Sequence, residues 1–175
     1  MALIIRTVVL LVVIVYAGCA PTPSPLSIPR PVPEMPGYSA LQNADRALEY
    51  GQYPEALEGY NTFLREAYDG YFADVALFKI GKIYRLTGRD DDAMAVFSRL
   101  KHEFPQSDRA DDAMLEILNI LFDGGDFESV IALGRAYTET TDPNLARRPF
   151  FIIVADAYAA LGVHLDAARF YYRAW

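Results

Sequence analysis

Gly51-Gln52-Tyr53-Pro54-Glu55-Ala56 decides how this chain folds, because it returns as Gly88-Arg89-Asp90-Asp91-Asp92-Ala93 and again as Gly162-Val163-His164-Leu165-Asp166-Ala167. With Gly125 between the last two, glycine stands at 51, 88, 125 and 162, and each step is 37 residues. A fixed period between about 20 and 50 residues marks an array, in which one unit cannot bury its apolar face alone and stacks on the next. Working outward, the register holds on both sides of each glycine. Five residues after come Ala56, Ala93, Val130 and Ala167; nine after, Tyr60, Phe97, Gly134 and Tyr171; twelve after, Phe63, Leu100, Tyr137 and Ala174. Seven before come Ala44, Gly81, Leu118 and Ala155; four before, Ala47, Tyr84, Leu121 and Tyr158.

Small residues at fixed places let two helices approach, and large ones fill the space between them. The glycine supplies the left-handed cap that ends the first helix of each pair. The reading is all-α: about four antiparallel helix pairs, with helices over 38–50, 53–67, 72–87, 90–103, 108–123, 126–140, 147–161 and 164–175. No stretch alternates apolar and polar residues between turn signals, so strands are not expected. Phe104-Pro105-Gln106-Ser107 ends one helix with proline and opens the next with a serine cap. Asp142-Pro143 does similar work before the last pair, and Pro149 fits only a first turn. The third unit departs from the pattern at Val130 and Gly134, so its helix pair is expected to pack less regularly.

The pattern resembles the tetratricopeptide repeat, a helix-turn-helix unit with a period of about 34 residues. Gly51 to Ala56 followed by Tyr60 and Phe63 carries the resemblance, as do Gly88 to Ala93 with Phe97 and Leu100, and Gly162 to Ala167 with Tyr171 and Ala174. The usual tryptophan early in the first helix is absent. Three extra residues per unit imply longer connections or an extra half-turn.

The first 18 residues read as a signal rather than as fold. Arg6 gives a positive start, Val8 to Ala17 is an apolar run, and small Ala17 and Gly18 precede Cys19. A membrane-spanning helix needs about 20 apolar residues, which Arg6 and the prolines from Pro21 onward do not leave. Tyr16-Ala17-Gly18-Cys19 looks like a bacterial lipobox, where the cysteine is lipidated and becomes the mature N-terminus; the family prefers leucine where Tyr16 stands. Cys19 is the chain's single cysteine. A lone cysteine in an exported protein is a free thiol, half of an intermolecular disulfide or a modified residue, and its place here favours lipidation. Two or more acyl chains anchor stably where one is marginal. By resemblance to enterobacterial sorting, Ala20 rather than aspartate after the cysteine implies the outer membrane.

Residues 19–37 join this anchor to the repeats. Pro21, Pro23, Pro25, Pro29, Pro31, Pro33 and Pro36 make the segment extended and semi-rigid, and at about 3.1 Å per residue it reaches roughly 55 Å. It reads as a tether that lifts the helices off the membrane, with a ligand for a polyproline groove as the other reading. Residues 38–175 form one repeat domain, large enough for a sizeable core. At 53% apolar residues, wholesale disorder is excluded.

Chemistry is mostly missing. His102 and His164 lie in different units, and no cluster has metal-ligand spacing, so neither metal nor cofactor is expected. Asp90-Asp91-Asp92 sits where carboxylates favour a helix start and lacks the layout of a calcium loop. Asp108, Asp111 and Asp112 read the same way. Gly124-Gly125-Asp126 is a turn with no lysine after it, not a phosphate loop. The formal charge is −7, or −8 once Arg6 leaves with the signal, which argues against nucleic acid as a partner. Glu116 is the one deeply placed acid by pattern and reads as a solvated helix residue; the chain is expected not to be an enzyme.

What remains is a surface. The resemblance implies that first helices line a concave groove for extended peptides or a partner's helix. Its groove positions fall on Leu41, Asp45, Leu48 and Glu49, then Phe78, Lys82, Arg85 and Leu86. They continue on Leu115, Asn119, Phe122 and Asp123, then Ile152, Asp156 and Ala159. Lys82 and Arg85, three apart beside Phe78, share a helix face and suit a carboxylate or acidic peptide. The competing reading pairs both cations with neighbouring acids such as Asp45 and Asp123.

Lipobox, proline linker, helix pairs and the joining run Phe104-Pro105-Gln106-Ser107-Asp108-Arg109-Ala110 resemble the outer-membrane lipoproteins of barrel-protein assembly. The same joining run occurs in the periplasmic cell-division coordinator of the Tol-Pal system and in activators of penicillin-binding proteins. The resemblance implies a lipid-anchored periplasmic scaffold whose partners are other envelope proteins. The chain stops at Trp175 within the last helix, where arrays usually end in a polar cap, so either a longer protein or an aromatic end that docks on a partner is expected.

Overall fold

The structure is a computed structural model that describes residues 37–67, 72–140 and 148–175. The lipobox, Cys19, the linker before Gly37 and Asp142-Pro143 lie outside the described residues. Among those described there are eight α-helices and no strand. They are α1 (Tyr38–Glu49), α2 (Tyr53–Ala67), α3 (Ala73–Leu86), α4 (Asp90–Glu103), α5 (Asp108–Asp123), α6 (Phe127–Thr140), α7 (Arg148–Ala160) and α8 (His164–Arg173). Odd-numbered helices are the first, and even-numbered the second, of four hairpins. The expected helices are all present, with ends that differ by a residue or two.

The four period-marking glycines turn each hairpin. Gly51, Gly88, Gly125 and Gly162 have φ of 70°, 71°, 77° and 75°. A β-carbon at any of them would meet nothing within 4 Å, so backbone conformation, not space, requires glycine there. Each turn closes with the same bond from the residue after the glycine: Gln52 N–H to Ala47 C=O at 2.9 Å, Arg89 to Tyr84 at 2.8 Å, Asp126 to Leu121 at 2.9 Å and Val163 to Tyr158 at 2.9 Å. This is the six-to-one bond of a Schellman cap.

Inside the hairpins the large and small positions interlock. Tyr60, Phe63, Phe97 and Leu100 are fully buried among Ala44, Ala56 and Ala93. Each large side chain so buried contributes roughly 2 to 3 kcal/mol. Gly81 serves close approach: a β-carbon there would lie 2.5 Å from the Phe97 ring. Between repeats, the Ser107 hydroxyl accepts the Arg109 N–H at 3.0 Å as the cap of α5 and donates to the Asp74 carboxylate of α3. Proline is accommodated in first turns, at Pro54 in α2 and Pro149 in α7.

The third hairpin departs as its sequence suggests. α6 lies closer to α7 than to its own partner α5. Gly134 removes the aromatic that fills the first two hairpins, and the space goes to Val154 of α7. The core accordingly falls into two clusters. One runs from Leu41 to Ile120; the other gathers Met114, Leu118, Val130, Phe150, Ile153, Val154 and Ala157. Tyr137 stacks on Phe150 with ring centres 3.8 Å apart.

A candidate interaction surface on the first helices

Among the described residues, successive first helices approach one another, α3 to α5 and α5 to α7, while no comparable approach joins successive second helices. The surface that the first helices share carries a ladder of ion pairs between repeats. Lys79 of α3 reaches Asp45 of α1 at 2.6 Å, and Lys82 of α3 reaches Glu116 of α5 at 2.9 Å. Arg85 of α3 binds Asp123 of α5 and, at 3.3 Å, Asp90 at the start of α4. The first two pairs both span 34 residues, one period less one helical turn.

The ladder is anchored from the core. The buried Tyr60 ring sends its hydroxyl to the same Asp45 oxygen that Lys79 holds, at 2.6 Å. Burial first, and the Asp45 hydrogen bond second, raise the Tyr60 hydroxyl far above the ordinary tyrosine range. The Asp123 bond is the main reason that Arg85 is held still more firmly as a cation. At the fourth hairpin the Tyr171 hydroxyl donates to Asp156 at 2.5 Å, which raises the Tyr171 hydroxyl in the same sense.

The groove positions inferred from sequence divide accordingly. Asp45, Lys82, Arg85 and Asp123 come together in the ladder; Glu49 is exposed at the end of α1. Phe78 is half-buried, 5.7 Å from the Phe97 ring, with the Arg109 guanidinium 5.5 Å over its face. Phe122 packs edge-on to Phe127 at 5.2 Å, and Asn119 is half-buried beside it on α5. Asp156 stands apart on α7 with Tyr171. Leu41 is not a groove residue: it faces the core and is buried.

Lys82 and Arg85 therefore form no bare basic spot. Both are ion-paired, Arg85 with the anticipated Asp123 but Lys82 with Glu116 rather than Asp45. Glu116, read from sequence as a solvated residue, is largely covered, with a side chain 18% exposed, because α3 lies across it. Lys79, Glu116 and the Tyr60 hydroxyl are the participants that sequence reading missed. Opposite charges recurring at a 34-residue offset were the signal available.

Elsewhere the charges serve the helices. Asp90 and Asp92 pair with Arg85 and Arg89 in and beside the first turn of α4, and Asp112 pairs with Arg109 in α5. Burial lowers the pKa of Lys101, whose Nζ donates to the Met114 sulfur at 3.0 Å. A shallow depression of about 810 Å³ between α6, α7 and α8 is rimmed by Arg135, Glu139, Asp166 and Arg169, which pair among themselves. Among the described residues no group of three His, Cys, Asp or Glu side chains could hold a metal ion, and no helix is long and apolar enough to cross a membrane.

The fold and this surface define a class: an all-helical array of tetratricopeptide-like hairpins. The Tetratricopeptide repeat family matches residues 75–107, the span from α3 through the Ser107 cap. A solved structure described as the crystal structure of MamA protein is similar at 15% identity, over 79% of this chain and 89% of that one, with a TM-score of 0.35. No curated protein matches the sequence. Tetratricopeptide repeats of this build indicate a protein–protein interaction scaffold, a fold that is typically non-catalytic.

Proposed function

We propose that this chain is a lipid-anchored scaffold on the periplasmic side of the outer membrane, whose first-helix face binds other envelope proteins during outer-membrane protein assembly. The ion-pair ladder carries the reading. Partly exposed pairs add only about 0 to 1 kcal/mol each to stability, so three pairs aligned across repeats do little for the stack itself. They do hold alternating charges in fixed register beside the half-buried Phe78 and Phe122, and a pre-ordered polar surface with aromatic footholds favours specific docking. The apolar run before Cys19 and the proline segment after it support the anchor and the tether.

A second reading is favoured by one feature, the join from Phe104 to Ala110, locked to α3 through Ser107 and Asp74. This run resembles the join in the Tol-Pal cell-division coordinator and in activators of peptidoglycan synthases. Affinity capture of the lipidated full-length chain separates the two. Barrel-assembly components are the expected catch, reduced when Lys82 and Arg85 are both changed to glutamate. Recovery of peptidoglycan synthases would shift the assignment to the second reading, and recovery of neither would overturn both.

A further inference from the structure

The period allows the four hairpin turns to be compared place by place. One before, one after and three after the turn glycine stand Tyr50, Gln52 and Pro54 in the first turn. Thr87, Arg89 and Asp91 hold these places in the second turn, and Gly124, Asp126 and Glu128 in the third. All nine are exposed although a further hairpin follows each of these turns, so solvent reaches the places whatever comes after them in the chain. In the fourth turn they hold Leu161, Val163 and Leu165.

Only this turn is aliphatic at all three places. Leu161 is 41%, Val163 39% and Leu165 67% exposed, within an unbroken exposed run from Ala160 to Leu165. The bond from the Val163 N–H to the Tyr158 carbonyl fixes the turn in the same form as the other three, so these side chains are held in place at the surface. Turns are ordinarily built from glycine, proline and small polar residues, and clustered exposed apolar side chains mark a contact site. Acidic residues stop short of it. Turn two carries Asp90 and Asp91 and turn three Asp123, Asp126 and Glu128, whereas none lies between Ala160 and Leu165.

We propose that the fourth turn rests on the lipid surface, with Leu161, Val163 and Leu165 among the acyl chains just below the headgroups. The chemistry of the tip selects the occupant. It is made of branched aliphatic side chains, without the tryptophan, tyrosine or arginine that anchor protein interfaces, and it stands on a run of exposed residues rather than in a groove. A fluid acyl layer accepts such a tip, where a folded partner would need a matching pocket. Anionic headgroups repel the carboxylates of turns two and three, which confines the contact to turn four. Three aliphatic side chains hold a bilayer weakly by themselves, but a tether with a reach of about 55 Å keeps them at high local concentration beside it. The proposal rests on the anchor at Cys19 and is independent of the first-helix surface.

The equivalent places of the other turns supply the controls. The lipidated full-length chain carries a polarity-sensitive fluorophore at Leu165, Pro54 or Glu128, one site at a time. Each is reconstituted in vesicles of phosphatidylethanolamine and phosphatidylglycerol, with and without brominated acyl chains, and floated. Emission from position 165 should shift to the blue and be quenched by the brominated lipid, while positions 54 and 128 report water in both vesicles. A floating chain with an unshifted, unquenched label at 165, or with equal shifts at all three sites, overturns the proposal and leaves the anchor standing. A shift at 165 seen only in native outer-membrane vesicles assigns the turn to a protein and overturns it as well. A chain that does not float refutes the anchor and this proposal together.

Discussion

Gly134 of α6 faces Val154 of α7 so closely that a β-carbon on the glycine would lie 2.3 Å from the valine Cγ2. A repeat position that is aromatic in the other hairpins has here become the contact through which α6 leans on α7. Gly134→Ala should gain about 1 kcal/mol of helix propensity and still lose about 1 to 3 kcal/mol net through overpacking. Urea denaturation followed by circular dichroism measures this. A more stable variant would contradict the close approach.

Tyr60 makes stability fall in alkali. Its hydroxyl is raised by burial and by Asp45, so the folded chain keeps a proton that the unfolded chain loses near pH 10. Above that pH the unfolded state binds fewer protons. Stability is then present in full below about pH 10 and declines above it, by up to about 1.4 kcal/mol per pH unit. Tyr60→Phe should cost about 1 kcal/mol at neutral pH and flatten this part of the decline. Denaturation midpoints of the two proteins from pH 8 to 11 decide it; parallel curves would refute the assignment.

The Arg85–Asp123 pair joins α3 to α5 on a surface where one partner is 22% and the other 60% exposed. A double-mutant cycle with alanine at both should give a coupling of about 0.5 to 1 kcal/mol that shrinks in high salt. A coupling above about 2 kcal/mol would mean that the pair is structural, and the case for a docking surface would weaken.

Cys19→Ala tests the anchor. The variant should leave the membrane fraction for the soluble one, because acyl chains at Cys19 are the proposed means of attachment. Continued sedimentation with membranes at full yield would refute it.

The helix pairs were legible because their signals are local and repeated. A glycine with positive φ, an alanine under a ring and a serine before Arg109 each act within a few residues, and the period multiplies the evidence. The surface was only half legible. Lys82 and Arg85 could be placed on one face, but their partners depend on how far α5 is displaced along α3, which no single repeat encodes. That displacement gave Lys82 to Glu116, while on α1 Asp45 went to Lys79 and Leu41 turned to the core. The looseness of the third hairpin was visible at Val130 and Gly134, whereas its beneficiary, Val154, lies in the next repeat and became visible only in the fold.

The central claim is that the first-helix face is where partners bind. Photo-crosslinking side chains placed at exposed Glu49 and Leu86 on first helices, and at exposed Asn61 and Glu128 on second helices, test it most directly in living cells. Adducts with envelope proteins should form from Glu49 and Leu86 and not from Asn61 or Glu128. Adducts confined to Asn61 and Glu128 would contradict the account.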